Sequence, residues 1–453
     1  MKNKIDFFNY LEKSIIDNSK LIFKEKKKTH NLDKIFNIIE NFMISNKLIC
    51  YGGTALNNIL PKESQFYDYD SNLPDYDFFS PTALEHVKEL AIIFKKAKYK
   101  NILAKSALHP GTYKLYVNYI QIADITHINE DLYKKLLNNT IIRNSIHYAP
   151  LNFLRMNLFL ELSRPRGDIS RWEKIMNRLI IFNKSYPFTI INCENKLTFE
   201  HHKNKDKKIF LLIDNILKKH DLNNVIFIGE YAIKEYTKYF PNQFKNMLKK
   251  NKLHTFILLS NDAKKVTNEI YEKINKSIHE ENKITIKEIK NVDDFLPKYY
   301  NIYINNIHYL SIFKTDGCQN YNTITRNKKE IKIGTLDTML YYYFMFFYLD
   351  FDTILKNHLY CYCFILFYIQ ENYNITNNKI LQRFNLSCIG NQTTLEDIID
   401  FKNKKYQKLK NNRSSLEYKK YFLKYIPRKK TKKMKKTKKN NKTKKQTVKK
   451  KNE

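Results

Sequence analysis

Tyr51-Gly52-Gly53-Thr54 followed by Pro74-Asp75-Tyr76-Asp77-Phe78-Phe79-Ser80 is the stretch on which the reading of this chain turns. A short apolar strand, Leu48–Tyr51, is interrupted by the glycine pair, and the spacing predicts a helix from about Thr54. Asp77-Phe78-Phe79-Ser80 reads as a strand end, and Pro81 opens a helix predicted over Pro81–Ala97. Outward from this stretch, helices are predicted at Asp6–Lys26, as one amphipathic helix or two short ones, and at Leu32–Ile44. Tyr113–Val117 and Tyr119–Ile125 read as two strands joined by a tight turn. Helices follow at Leu151–Leu162 and Ile169–Ile181.

Asp75 and Asp77 stand two residues apart, so on a strand their side chains share one face. A third carboxylate, Asp124, is framed by apolar residues in Gln121-Ile122-Ala123-Asp124-Ile125-Thr126. Three aspartates on apolar strands are the hard oxygen donors that two Mg²⁺ or Mn²⁺ ions need for nucleotidyl transfer. Gly52 and Gly53 allow the backbone to approach triphosphate oxygens at a helix N-terminus. Thr54 is expected to offer a hydroxyl to the same phosphates. Singly, a Gly-Gly pair is more often a plain turn and an Asp-x-Asp an exposed loop; their order, with the third aspartate, favours a site. The rival pair Asp68-Tyr69-Asp70 runs into Ser71, Asn72 and Pro74, which is loop chemistry.

The pattern recurs. Lys34–Asn41 matches Lys208–Asn215, Tyr51–Ala55 aligns with Ile228–Ala232, Asp77–Ser80 with Ile257–Ser260, and Tyr113–Ile120 with Tyr300–Ile307. At the positions of Asp75, Asp77 and Asp124 the second copy carries Thr255, Ile257 and Ser311, and its glycine pair is Gly229-Glu230. The scaffold pattern survives without the carboxylates, so they are not needed to build it.

Lys plus Arg outnumber Asp plus Glu by 81 to 45, a net charge of +36 that points to a polyanionic partner. Much of it lies in a Lys-rich tail, residues 428–453, too poor in apolar residues to order and expected to be disordered. None of the six cysteines (Cys50, Cys193, Cys318, Cys361, Cys363 and Cys388) falls in a C-x-x-C pair. A zinc site is therefore not expected. The polar N-terminus lacks a signal-peptide pattern, and together these predict a reducing intracellular setting. The aromatic runs Met339–Leu349 and Leu359–Ile369 are too short to span a bilayer and read as buried helices, so no membrane partner is expected.

The glycine turn, Asp-x-Asp and later aspartate resemble the polymerase-β-like nucleotidyltransferase superfamily. More narrowly, Tyr51–Asn57, Pro74–Pro81 and Arg164-Pro-Arg-Gly-Asp-Ile-Ser-Arg-Trp-Glu-Lys174 are similar to poly(A) polymerase catalytic subunits of nucleocytoplasmic large DNA viruses. The long gap from Gly53 to Asp75 departs from the superfamily pattern. The resemblance implies template-independent addition of AMP from ATP to RNA 3′ ends, with Asp75, Asp77 and Asp124 as metal ligands. It also implies host cytoplasm (the viral factory) and the virion as locations, and a homodimer or a heterodimer with a processivity subunit.

The resulting expectation is an α+β protein of two tandem nucleotidyltransferase-like domains, mixed sheets with packed helices. Residues 1–200 would be catalytic and 201–427 a degenerate copy, with the basic tail after them. Arg164, Arg166, Arg171 and Lys174 could contact RNA or triphosphate, or form a solvated helix start paired with Asp168 and Glu173; Trp172 is expected to pack. The competing functions are another terminal nucleotidyltransferase with a different nucleotide or acceptor, and a non-catalytic basic RNA-binding subunit.

Overall fold

The computed structural model describes residues 2–69, 73–188, 205–219, 224–242, 255–292, 295–326, 328–349, 353–372 and 380–428. Asp70, Cys193 and nearly all of the basic tail lie outside them. The first half runs α1 (Lys2–His30), α2 (Leu32–Ser45), β1 (Ile49–Tyr51), α3 (Gly52–Ile59), β2 (Tyr76–Ser80) and α4 (Ala83–Lys96). It continues through β3 (Leu103–Ser106), β4 (Thr112–Val117), β5 (Ile120–His127), α5 (Glu130–Leu137), β6 (Ile141–Arg143), β7 (Ile146–Tyr148), α6 (Leu151–Leu162) and α7 (Trp172–Ser185). The N-terminal segment is thus a single helix, with Phe7, Phe8, Ile15, Leu21 and Ile22 exposed.

The second half repeats the order with α8 (Lys207–Lys219), β8 (Val225–Phe227), α9 (Glu230–Tyr236), β9 (Phe256–Ser260), α10 (Ala263–Ser277), β10 (Ile284–Ile289), β11 (Tyr299–Ile304) and β12 (Ile307–Lys314). Then come β13 (Gln319–Arg326), β14 (Lys329–Gly334), α11 (Leu336–Phe346), α12 (Thr353–Asn372), β15 (Cys388–Ile389), α13 (Leu395–Leu409), α14 (Leu416–Phe422) and β16 (Lys424–Tyr425). The helix α11, with its run of tyrosines and phenylalanines, is buried throughout. Among the described residues no helix is long and apolar enough to cross a membrane.

The two mixed sheets have the orders β16-β3-β4-β5-β2-β1-β7-β6 and β10-β11-β12-β9-β8-β14-β13-β15. Without the end strands β16 and β15, they correspond strand for strand. The correspondence reaches single residues. Asp77 pairs with Asp124 as Ile257 pairs with Ser311, and Lys114 faces Asp124 as Asn301 faces Ser311. Even the bulge recurs, between Leu115 and Tyr116 and between Ile302 and Tyr303. A bulge preserved in both hairpins is a feature of the scaffold.

The halves meet through helices. Phe159 of α6 stacks on Phe344 of α11 at 6.1 Å, and Phe153 meets Tyr348 edge-on at 5.5 Å. The Ser163 carbonyl accepts from the Asn320 amide at 3.0 Å. Near the seam, Arg383 pairs with Asp337, and both side chains are buried. The chain end does not stay with the second half. β16 pairs antiparallel with β3, so residues after about 395 return to the edge of the first sheet, which refines the expected span of 201–427.

The cysteines show a pairing that was not expected from the sequence. Cys318 and Cys388 form a disulfide joining the start of β13 to β15. The reducing setting was read from the polar N-terminus, and two cysteines 70 apart in sequence carry no local signal of pairing. Cys50 and Cys363 are free and buried.

Candidate active site

β1 runs antiparallel beside β2 and β2 parallel beside β5, which brings the predicted residues together. Tyr51 is opposite Asp77, and Asp77 opposite Asp124. Opposed residues share a face, so both carboxylates stand on the open side of the sheet, while Phe78 and Ile125 enter the core. Asp75 lies just before β2 and is exposed. Of the rival pair, Asp68 is held in an exposed contact with Lys20 at 3.6 Å.

The glycines answer to their surroundings. Gly52 has φ of +75°, and a Cβ on it would lie 2.7 Å from Asp77 Oδ2. Either constraint alone favours glycine. A Cβ on Gly53 would collide with the Tyr67 hydroxyl. α3 therefore starts with its free amides close to the Asp77 carboxylate. Thr54 behaves differently from expectation. Its hydroxyl is buried and donates to the Asp75 carbonyl at 2.6 Å, tying the helix to the start of β2 instead of facing the turn.

Asp77 and Asp124, half-buried beside the exposed Asp75, repel one another. Burial, then Asp75 and Asp124, push the Asp77 carboxyl up to about 8. Burial also raises Asp124, against the opposing Lys114. Lys114 Nζ donates to Asp124 Oδ2 at 2.9 Å and Gln121 Nε2 to Oδ1 at 2.9 Å. With both Asp124 oxygens engaged, no group of three acidic, histidine or cysteine side chains closes around a cation-sized space among the described residues. The donors are nonetheless hard oxygens, and Asp77, raised first by burial and then by its acidic neighbours, is a carboxylate that a divalent cation would favour in its charged form. The site residues thus suit such ions.

Several participants were not visible in the sequence. Arg178 of α7 is buried, stacks over Phe66 at 4.6 Å and donates to the Tyr67 hydroxyl at 2.8 Å. Its Nη1 would be 3.3 Å from a Cβ on Gly53, so this cation borders the glycine turn. Asn57 of α3 accepts from the amides of Phe66 and Tyr67 at 2.9 and 2.8 Å, which holds that loop in place. Lys114 could have been found from the hairpin register; Arg178, more than a hundred residues from Gly53, carried no local signal. The Arg164–Lys174 cluster divides. Arg164 bonds Asp316 at 2.6 Å and Arg171 bonds Glu161 at 3.2 Å, both structural ties, and the Trp172 indole donates to the Glu161 carbonyl.

The second copy retains the geometry without the chemistry. Glu230 replaces the second glycine and is buried, accepting from the Tyr362 hydroxyl at 3.0 Å. Where Gly53 is bordered by Tyr67 and Arg178, Glu230 brings a buried carboxylate of its own. Ser311 donates to Asn301 at 2.8 Å.

Residues 37–168 match the family model described as poly(A) polymerase catalytic subunit. A putative poly(A) polymerase catalytic subunit of Acanthamoeba polyphaga mimivirus is 30% identical over 158 residues, 34% of this chain and 26% of the relative. A protein of the same description from African swine fever virus (isolate Tick/Malawi/Lil 20-1/1983) is 25% identical over 175 residues, 37% of this chain and 36% of the relative. The matched part thus spans about a quarter to a third of these relatives. The crystal structure of the Megavirus polyadenylate synthase superposes with a TM-score of 0.76 at 20% identity, covering 92% of this chain and 83% of that one. The family model covers residues 37–168, whereas the likeness of fold extends over 92% of this chain.

Proposed function

We propose that this chain is a template-independent poly(A) polymerase, adding AMP from ATP to the 3′ ends of RNA. The observation that carries this reading is the juxtaposition of Asp77 and Asp124 on neighbouring parallel strands, against Gly52, in a chain whose second sheet keeps the same register without any of the carboxylates. The relatives' descriptions as poly(A) polymerases support the choice of nucleotide.

In this mechanism the RNA 3′ oxygen attacks the α-phosphorus of ATP. The bond from that phosphorus to the bridging oxygen breaks, and pyrophosphate leaves. Asp124, positioned by Lys114 and Gln121, orients the attacking hydroxyl and accepts its proton. The amides at Gly52 and Gly53 bind triphosphate oxygens, and Arg178, steadied by Tyr67, presents its positive charge to them. Asp75, Asp77 and Asp124 would hold two divalent cations, Mg²⁺ or Mn²⁺, which when bound activate the attacking oxygen and offset charge on the leaving group. The second half acts as scaffold, its equivalent place filled by Glu230.

The test is primer extension on oligo(A) with each nucleoside triphosphate in turn, in the presence of Mg²⁺ or Mn²⁺. Extension with ATP is expected, and Asp75→Ala with Asp77→Ala should abolish it while RNA is still bound. Extension that survives the double substitution overturns the site assignment. Preference for another triphosphate overturns the choice of ATP.

A further inference from the structure

The register of the first sheet places a line of lysines beside the carboxylates. Asp77 on β2 faces Asp124 on β5, Asp124 faces Lys114 on β4, Lys114 faces Lys105 on β3, and Lys105 faces Lys424 on β16. Directly paired residues project from the same face. The row one residue along is its inverse: Tyr76, Ala123, Leu115, Ala104 and Tyr425 face the core side. With strands about 4.8 Å apart, Asp124 and Lys424 stand about 14 Å apart along the row.

Among the described residues neither Lys105 nor Lys424 forms a salt bridge. Lys105 lies over the Tyr116 ring at 4.7 Å, and the Tyr116 hydroxyl donates to Gln121, the residue that also holds Asp124. A cation row that begins at the reacting carboxylate and ends at the sheet edge suits one kind of ligand, an extended polyanion entering by one end.

We infer that the row Lys114–Lys105–Lys424 is the track on which the sugar-phosphate backbone of the RNA lies upstream of its 3′ end. This rests on the reading of the site as one that extends RNA 3′ ends. The 3′ hydroxyl meets Asp124, and successive phosphates pass over the lysines towards β16, with Tyr116 available beneath a base. The chain's return from the second half thus does more than close a sheet edge. β16 adds the last cation of the row, and the basic stretch 428–453 follows it in sequence. The second sheet's corresponding row is Ile257, Ser311, Asn301 and Lys287, and among the described residues no strand takes the place of β16.

Binding of a fluorescent single-stranded oligo(A) to the full chain, measured by anisotropy over a range of salt concentrations without ATP, tests the track. Lys105→Gln with Lys424→Gln should weaken binding about tenfold at low salt. It should also reduce the salt slope by about 0.7 for each lysine lost. Lys276→Gln with Lys287→Gln removes the same charge from the second half and should change neither by a comparable amount. Equal effects of the two pairs overturn the inference, leaving only a general attraction to a basic protein. Melting curves establish that both variants fold, and Lys105→Gln alone repeats the comparison without touching β16. Primer extension by the unaltered protein is run alongside. If it fails, the reading of the active site falls; if it succeeds while the two pairs bind alike, only the track falls.

Discussion

At the scale of single residues, Asp77 is the most telling position. Its carboxyl is raised to about 8, against an ordinary value near 3.9, by burial and by the neighbouring Asp75 and Asp124. The folded protein then binds a proton that the unfolded chain releases between about pH 4 and pH 8. Stability from this group is present at the acid end and is lost as pH rises through the folded value. With a chelator present, thermal melts should show the unaltered protein losing more stability between pH 5 and pH 8 than Asp77→Asn does. Mg²⁺ should recover the loss at pH 8 in the former and not in the latter. Parallel pH profiles for the two proteins would refute this account. Asp77 on its strand and the glycine turn were legible from spacing, because an alternating strand and a left-handed glycine are local properties, whereas Asp75 stands just before β2 and not on it as the spacing predicts. Thr54 was misread because its hydroxyl partner, the Asp75 carbonyl, becomes a neighbour only when β2 packs beside α3.

At the scale of elements, the loop after α3 decides whether the turn is usable. Asn57 is buried, and one side-chain oxygen receives two amides, from Phe66 and Tyr67. Through that loop Tyr67 and Arg178 reach Gly53. Asn57→Ala leaves two amides without their acceptor and should cost about 2–3 kcal/mol in urea unfolding. It should also raise the KM for ATP more than that for RNA, since the loop borders the triphosphate turn. An unchanged KM for ATP would separate the loop from nucleotide binding. The boundaries of several first-half elements followed from apolar periodicity, α6 at Leu151–Leu162 among them. The short strands β15 and β16 did not, since two residues carry no period and exist only through pairing with β13 and β3.

For the whole molecule, two copies of one topology are joined along α6 and α11, and only one carries acidic chemistry. Arg383 and Asp337, both buried, lie at this seam, with Arg383 over Phe384 and Trp172 against the same ring. Removing one partner leaves the other charge buried, so Arg383→Met should cost about 3–5 kcal/mol, and Arg383→Met with Asp337→Leu should recover much of it. Equal losses in the single and double variants, measured by urea unfolding, would show that the pair's charges do not matter. The duplication was readable because both halves keep the same order of strands and helices, with Thr255, Ile257 and Ser311 in the second copy at the positions of Asp75, Asp77 and Asp124. The disulfide between Cys318 and Cys388, the approach of Arg178 to Gly53 and the line from Asp124 to Lys424 belong to the tertiary structure. Local sequence determines the conformation of short segments through steric and periodic preferences that act within a few residues. Which segments become neighbours is decided by the burial of apolar faces across the whole chain, and that choice alone placed the lysines beside the aspartates.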